Sequence, residues 1–486
     1  MPANGLLFTV GQVPHDRELV LCSPGVTQPE EKARMTAGGL HARGWGEEMG
    51  WKARRGFYCP SHENGAKMTI CKLVWPPVVV LAVMLGSVAC QMVSAEEPLP
   101  PFLKDFVSYD RLTWEEHWVQ QLDGKGGRVC HRAKFRFLPP HEGKMVLPWG
   151  LARMDNGEIA VAGVAGAMSD AREDHQTVLA FSSDRGATWS EYYPVLDLVS
   201  RPMMLVYLGN GELSFRSSWE ASGNYQFYSK DYGRTWSERV KSPVAPDGEA
   251  FHSEGNLLVD RDEHGVAVLL GETGATHSHG PPPEFPLCGG IHWSRDGGRT
   301  WGKFSFPEQW KWHTSYQGKS YERGVCEGGL VRAANGWIVA ALRTDLEPRF
   351  FPLKYDNMMG TAVSISKDNG ETWSELNFVF GPGRMHPTLL RLPNGDLVMT
   401  VIRRLDLENG QMASYRRGCD AVVSRDNGLT WDLNRMYILD DFASLSEPRW
   451  YYVRNGHQFS IGLGDGSILT TYGNYQNAGA LIHWKP

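Results

Sequence analysis

Cysteine is scarce in this chain, eight among 486 residues, and no two of them form a Cys-x-x-Cys pair. That spacing excludes a zinc ribbon and a dense disulfide framework, leaving room for one or two bridges among Cys130, Cys288, Cys326 and Cys419. Charge is sparse too, at 21% of residues with a net −6, and no basic stripe runs through the chain. Nucleic-acid partners are therefore not expected. Residues 1–67 lack any periodicity, which marks them as a leader or an extension ahead of a physiological start at Met68. Leu73 to Cys90 forms an apolar run; Lys72 precedes it and Val93-Ser94-Ala95 follows, the order of a secretory signal over residues 68–95. The Pro76-Pro77 pair speaks against a continuous membrane-spanning helix. The expected location is secreted or periplasmic, with no stable membrane span after cleavage; an uncleaved anchor or a lipoprotein cleaved at Cys90 ranks lower.

Glycine (54) and tryptophan (18) are plentiful, the composition of a fold made of turns and stacked rings. The motif Ser-x-Asp-x-Gly-x-Thr-Trp occurs five times, from Ser182 to Trp189, Ser229 to Trp236, Ser294 to Trp301, Ser366 to Trp373 and Ser424 to Trp431. The aspartates are 47, 65, 72 and 58 residues apart, intervals that suit four short strands with variable loops. The aspartate is expected to accept bonds from its own turn, the glycine to supply a positive φ, and the tryptophan to cover the hairpin. Five copies at one turn position identify these aspartates as folding elements.

A second repeat interleaves with the first. Asn156-Gly157, Asn210-Gly211, Asn335-Gly336, Asn394-Gly395 and Asp465-Gly466 each sit between apolar runs, with a longer turn ending at Gly265 in the third copy. These are hairpin signals. Six of them predict an all-β, six-bladed β-propeller of four-stranded antiparallel blades over residues 140–486. Residues 96–139 then supply a strand, within Val129 to Leu138, that closes the ring and removes an exposed edge.

Tandem boxes of this kind resemble those of the sialidase (neuraminidase) superfamily, from about residue 140 to the end. With the hairpin glycines in register, the residue nine positions earlier opens each first strand at the funnel: Pro148, Pro202, Glu327, His386 and His457, with Glu254 nearest in the third copy. The resemblance implies three arginines clamping a sugar carboxylate, a tyrosine nucleophile activated by a glutamate, and a loop aspartate as acid. Glu327 and Arg343 resemble the family's glutamate and second arginine. Arg416 resembles the third, with Arg417 as rival, and Asp174 the acid, with Asp170 as runner-up.

Two positions depart from that pattern. Met145-Val-Leu-Pro148 carries no first arginine, and Gly456-His457-Gln458-Phe459 carries no tyrosine. Arg201 can replace the missing charge, and Tyr451 or Tyr452 can reach in from a loop. The expected function is a glycosidase acting on an exo-terminal, acidic sugar of a glycan. Glu327, Asp174 and His457 are its catalytic candidates, and Arg343, Arg416, Arg201, His386 and Glu254 its substrate contacts. No cofactor and no metal are called for. A polysaccharide lyase acting on uronic-acid glycans and a non-catalytic carbohydrate-binding propeller are the alternatives.

Overall fold

The computed structural model describes residues 114–486, apart from 167–175, 196–200, 219–223, 247, 249–250, 277–285, 354–357, 409–410, 415, 444–456 and 474–478. The leader, the signal, Asp170, Asp174, Tyr451 and Tyr452 lie outside the described residues. Among the described residues no helix is long and apolar enough to cross a membrane. Cys130, Cys326 and Cys419 are free thiols.

The chain folds into antiparallel sheets whose strands follow the two repeats. The first sheet holds Val146–Arg153, Ile159–Ala165, Gln176–Ser182 and Tyr193–Pro194; the second holds Arg201–Gly209, Glu212–Ser218, Tyr225–Ser229 and Glu238–Lys241. A third has three strands, Leu258–Arg261, Ala267–Thr276 and Cys288–Ser294, and a fourth has Val325–Arg332, Ile338–Thr344, Thr361–Ser366 and Asn377–Phe380. Nine further strands join into one sheet, and two short hairpins stand apart from it, Trp312–Tyr316 with Lys319–Arg323 and Asp406–Glu408 with Gln411–Ser414. The first strands of the nine-stranded sheet, Arg384–Arg391 and Gln458–Gly462, stand at its two edges. The first strands of neighbouring sheets pack side by side, and the series returns from Gln458–Gly462 to Val146–Arg153, so the arrangement is propeller-like.

Six separate four-stranded blades are not what these sheets show. Strand Glu115–Leu122 pairs with both Arg128–Phe137 and Tyr437–Ala443, which fuses the last sheets into one. Strand Arg128–Phe137 in turn pairs with Gly479–Trp484, from Lys134 opposite His483 to Phe137 opposite Ala480. In the third sheet the outer position is reduced to a single bridge between Ile291 and Ser305. The long interval before the fourth box carries an additional hairpin, Trp312–Tyr316 with Lys319–Arg323. Gln317 and Gly318 turn it with φ of 50° and 74°, the left-handed pair that a two-residue turn demands.

The cores lie between sheets. Val339, Ala341 and Val363 of the fourth pack on Leu397, Met399 and Val422 of the next, all buried. Their strands read as apolar runs because both faces are covered. In every box the serine hydroxyl donates to the aspartate at 2.7–2.8 Å and accepts the glycine N–H at 2.7–2.9 Å. The same aspartate takes the threonine N–H and hydroxyl, while the glycine holds φ between 87° and 92°. A Cβ at Gly370 would stand 2.3 Å from Trp293 of the preceding sheet, so glycine answers to packing as well as to φ. Burial works against the charge of Asp184, but bonds from Thr188 and Ser182 overcome it and hold its carboxyl below the usual range. An aspartate so engaged by its own turn is structural.

The variable box positions tie the two repeats together. Arg234 of the second box reaches Glu158 in the first sheet's hairpin, Arg299 of the third reaches Glu212 in the second's, and Arg185 of the first reaches Asp465 in the last. Deeper, between the second and third sheets, Arg216 is doubly bonded to Glu272, whose Oε2 also lies 2.8 Å from His292 Nε2. The His292 ring is stacked between Trp301 and Phe304, each 4.3 Å away. Burial opposes the charge on Glu272, yet Arg216 and His292 hold its carboxyl below the usual range.

Candidate functional site

Four first strands carry a bulge near their start, where the pairing register slips: between Pro148 and Gly150, Met203 and Val206, Val325 and Gly328, and Met385 and Thr388. A bulge leaves a residue out of the ladder and re-aims its side chain. Trp149, Glu327 and His386 are such residues. His386 has φ of 50°, a conformation uncommon outside glycine and one that persists where surrounding structure over-determines it.

These positions meet in a buried cluster. Arg343 Nη1 donates to Glu327 Oε2 and lies 3.4 Å from His386 Nε2, and Arg404 Nη2 lies 3.3 Å from that same nitrogen. Facing two guanidinium donors, Nε2 carries the lone pair and Nδ1 the proton. That Nδ1 is 3.7 Å from Glu327 Oε2. The His457 ring meets His386 edge to face at 4.3 Å and leans on Trp149 at 4.6 Å; the Arg201 guanidinium covers the other indole contact at 4.8 Å. His457 Nε2 is 2.7 Å from Glu254 Oε2, both side chains being at least nine-tenths buried.

Burial opposes the charge of Glu254, but the contact with His457, with Arg201 and Arg343 behind it, outweighs burial and holds its carboxyl below the usual range. For His386 burial and its basic neighbours act in one direction. Burial pushes its pKa well below the usual imidazole value of 6.5, and His457, Arg343 and Arg404 push further. Burial raises the Cys326 thiol, which is therefore no thiolate nucleophile.

The neutrality of His386 has a measurable sign. Below pH 6.5 the unfolded chain takes up a proton at this residue that the folded protein refuses, so acid favours the unfolded state. Stability should fall by up to about 1.4 kcal/mol per pH unit from about pH 6.5 downward, and His386→Asn should remove that part of the slope. Urea unfolding at about pH 7 and about pH 5.5 reads it; an identical slope in the variant refutes it.

Of the expected residues, Glu327, Arg343, His386, His457, Glu254 and Arg201 come together. Arg416 goes elsewhere: it bonds Asp441, in a network where Asp420 meets Arg384 Nε at 2.9 Å and Arg403 Nη1 at 3.3 Å. Its rival Arg417 is fully buried at the start of the strand Arg417–Ser424. Asp174 lies outside the described residues. Sequence reasoning missed Arg404 and Trp149. The first follows Arg403 at the end of a second strand, and the second follows Pro148, so a one-residue allowance for bulges would have found the tryptophan.

Glu254, His386 and His457 offer donor atoms within 4.8 Å of one another, a spacing compatible with a metal ion. The surroundings argue against that use. Arg343 and Arg404 already address His386, and each would repel a dication by several kcal/mol at such range. The guanidiniums of Arg201, Arg343 and Arg404 favour an anion. A cavity of about 640 Å³ lies away from this cluster, lined by Asn256, Asp260, Arg332 and Arg391 near the strands' opposite ends; it lacks a buried catalytic group.

No protein-family model matches the chain, and no curated protein matches it. Among solved structures, a protein of unknown function from Dyadobacter fermentans is similar with a TM-score of 0.51 at 17% identity, covering 72% of this chain and 98% of its own. Hadza microbial sialidase Hz136 is similar at a TM-score of 0.46 and 16% identity, over 71% of this chain and 66% of that one. The leech intramolecular trans-sialidase gives 0.46 at 13%, over 72% and 69%. The Dyadobacter protein shares the fold.

Proposed function

We propose that this protein is a secreted glycosidase of the sialidase-like kind, acting on an exo-terminal acidic sugar at the mouth of its ring. The ring has six blades when the nine-stranded sheet counts as two that share strand Glu115–Leu122. One observation carries the reading: a buried carboxylate-histidine pair, Glu254 and His457, stands beside the guanidiniums of Arg343 and Arg404 through His386. Planar guanidinium suits a sugar carboxylate, and a histidine held by a carboxylate suits proton transfer.

In hydrolysis, His457 takes a proton from water. The water oxygen bonds the anomeric carbon, the glycosidic bond breaks, and its oxygen takes a proton from an acid, for which Asp174 is the candidate. Glu327, held by Arg343, contributes the negative charge that an oxocarbenium-like transition state attracts. Histidine in place of the family's tyrosine makes ordinary sialic-acid release an unsuitable reaction for this site.

The same histidine among guanidiniums favours a second reading, elimination. There His457 removes the proton α to a uronate carboxylate whose charge the arginines neutralise; the C–H electron pair becomes a double bond in the ring, the bond from the β carbon to the glycosidic oxygen breaks, and that oxygen takes a proton from the same candidate acid, Asp174. Mass spectrometry after incubation with sialylated and uronic-acid glycans separates the readings. Water added to the product supports hydrolysis, loss of the leaving group without water supports the lyase, and binding without turnover makes the protein a carbohydrate-binding propeller.

A further inference from the structure

We infer that Glu254 is a positioning residue that fixes the His457 imidazole with its proton on Nε2, so that Nδ1 is the atom that accepts the substrate proton. This rests on the catalytic reading of the same site, and assigns within it a division of labour between two nitrogens and two histidines.

Four observations converge on it. First, His457 Nε2 stands 2.7 Å from Glu254 Oε2, a distance at which a carboxylate takes an N–H. Secondly, His457 Nδ1 is buried and meets no hydrogen-bond partner, an arrangement that needs explanation in a folded interior. A buried lone pair reserved for a reactant supplies one. Thirdly, the ring is clamped by Trp149 at 4.6 Å and His386 at 4.3 Å, so exchanging the two nitrogens would require a flip against both rings.

Fourthly, His386 is removed from competition. Its Nε2 lone pair faces Arg343 and Arg404, and protonation would place a cation beside two guanidiniums. Glu327 faces its other nitrogen, at 3.7 Å. His386 therefore stays neutral as a wall, while His457, opposite Glu254, can accept a proton and become a paired imidazolium. The proton moves to Nδ1, its bonding electrons remain on the substrate oxygen or carbon, and Glu254 stays a carboxylate throughout.

Backbone placement supports this role for Glu254. Asn256, two residues on, accepts the Leu389 N–H at 2.7 Å and donates to the Leu330 carbonyl at 2.8 Å, pinning the Glu254 segment to the fourth and fifth first strands. On the other side, Ser253 donates to the Thr273 carbonyl at 2.6 Å. The carboxylate is thus held on a short, doubly anchored segment rather than on a free loop, as a positioning group must be.

The test uses the full chain labelled with ¹⁵N-histidine, His457→Gln assigning the resonance. At alkaline pH, His457 is expected to show the proton on Nε2 and a bare Nδ1. In Glu254→Gln, whose amide oxygen still accepts the N–H, that tautomer should persist; in Glu254→Ala it should be lost. On whichever glycan is turned over, Glu254→Ala should lower kcat by about 10- to 100-fold with little change in KM, and Glu254→Gln should rescue part of the loss. A proton on Nδ1 in the unmodified protein, or a tautomer indifferent to Glu254→Ala, overturns the inference. Absence of turnover on every glycan would defeat the glycosidase and lyase readings while the spectra still decide the tautomer.

Discussion

Arg216→Met is expected to cost the fold about 3 to 5 kcal/mol, although position 216 lies outside the Glu254–His457 cluster. The guanidinium makes two bonds to Glu272, and both side chains are almost wholly inaccessible, at 3% and 0%. Methionine fills the volume but leaves the buried carboxylate without its cation, facing only His292 and the Ser253 hydroxyl among the described residues. That residue has its own burial penalty, which lowers its pKa and weakens it as a compensating cation. Removing both charges should be gentler. Arg216→Met combined with Glu272→Leu is expected to regain most of the loss, because the penalty arises from one orphaned ion. Urea unfolding of both variants checks this; equal destabilisation in the two would show that packing around His292, Trp301 and Phe304 sets stability there.

The largest kinetic effect is expected at His457. His457→Gln should lower kcat by about 10²- to 10⁴-fold, the range for loss of a general base. Glutamine keeps an N–H for Glu254, so the buried carboxylate retains a donor and the melting temperature should stay close to that of the unmodified protein. Steady-state rates on the glycan identified by product analysis, with a thermal melt alongside, read both quantities. Unchanged turnover would remove His457 from the reaction.

The boxes and hairpins were legible because their chemistry is local. A serine, an aspartate, a glycine and a threonine within seven residues complete their own bonds, whatever the rest of the chain does. Glu327 and Arg343 were legible as a pair through the family resemblance alone; the hairpin turning at Asn335-Gly336 pairs their strands, with the register slipping at Glu327 itself. Arg404 was not, since its approach to His386 depends on a left-handed residue and a bulge that no spacing announces. Arg416 resembled a clamp arginine by its distance from a box, but distance along a strand says nothing of an Asp441 waiting on the neighbouring one. The count of separate sheets failed at Glu115–Leu122, a strand that carries no box and whose Asp123-Gly124 turn lies ahead of the repeats, and which joins two sets of strands by pairing on both edges.

The seam between strands Arg128–Phe137 and Gly479–Trp484 bears on how quickly the protein can be made and how long it lasts. It joins positions roughly 350 residues apart, for which loop closure alone opposes the contact by roughly 5 kcal/mol. Little in the seam is rewarded until the intervening sheets have formed, so it belongs to the late part of folding, and contacts of such high order go with slow folding. The same order governs the reverse journey. A contact absent from the folding transition state slows unfolding by nearly its full strength, so this seam acts as a latch on the lifetime of the native ring more than as an aid to its assembly.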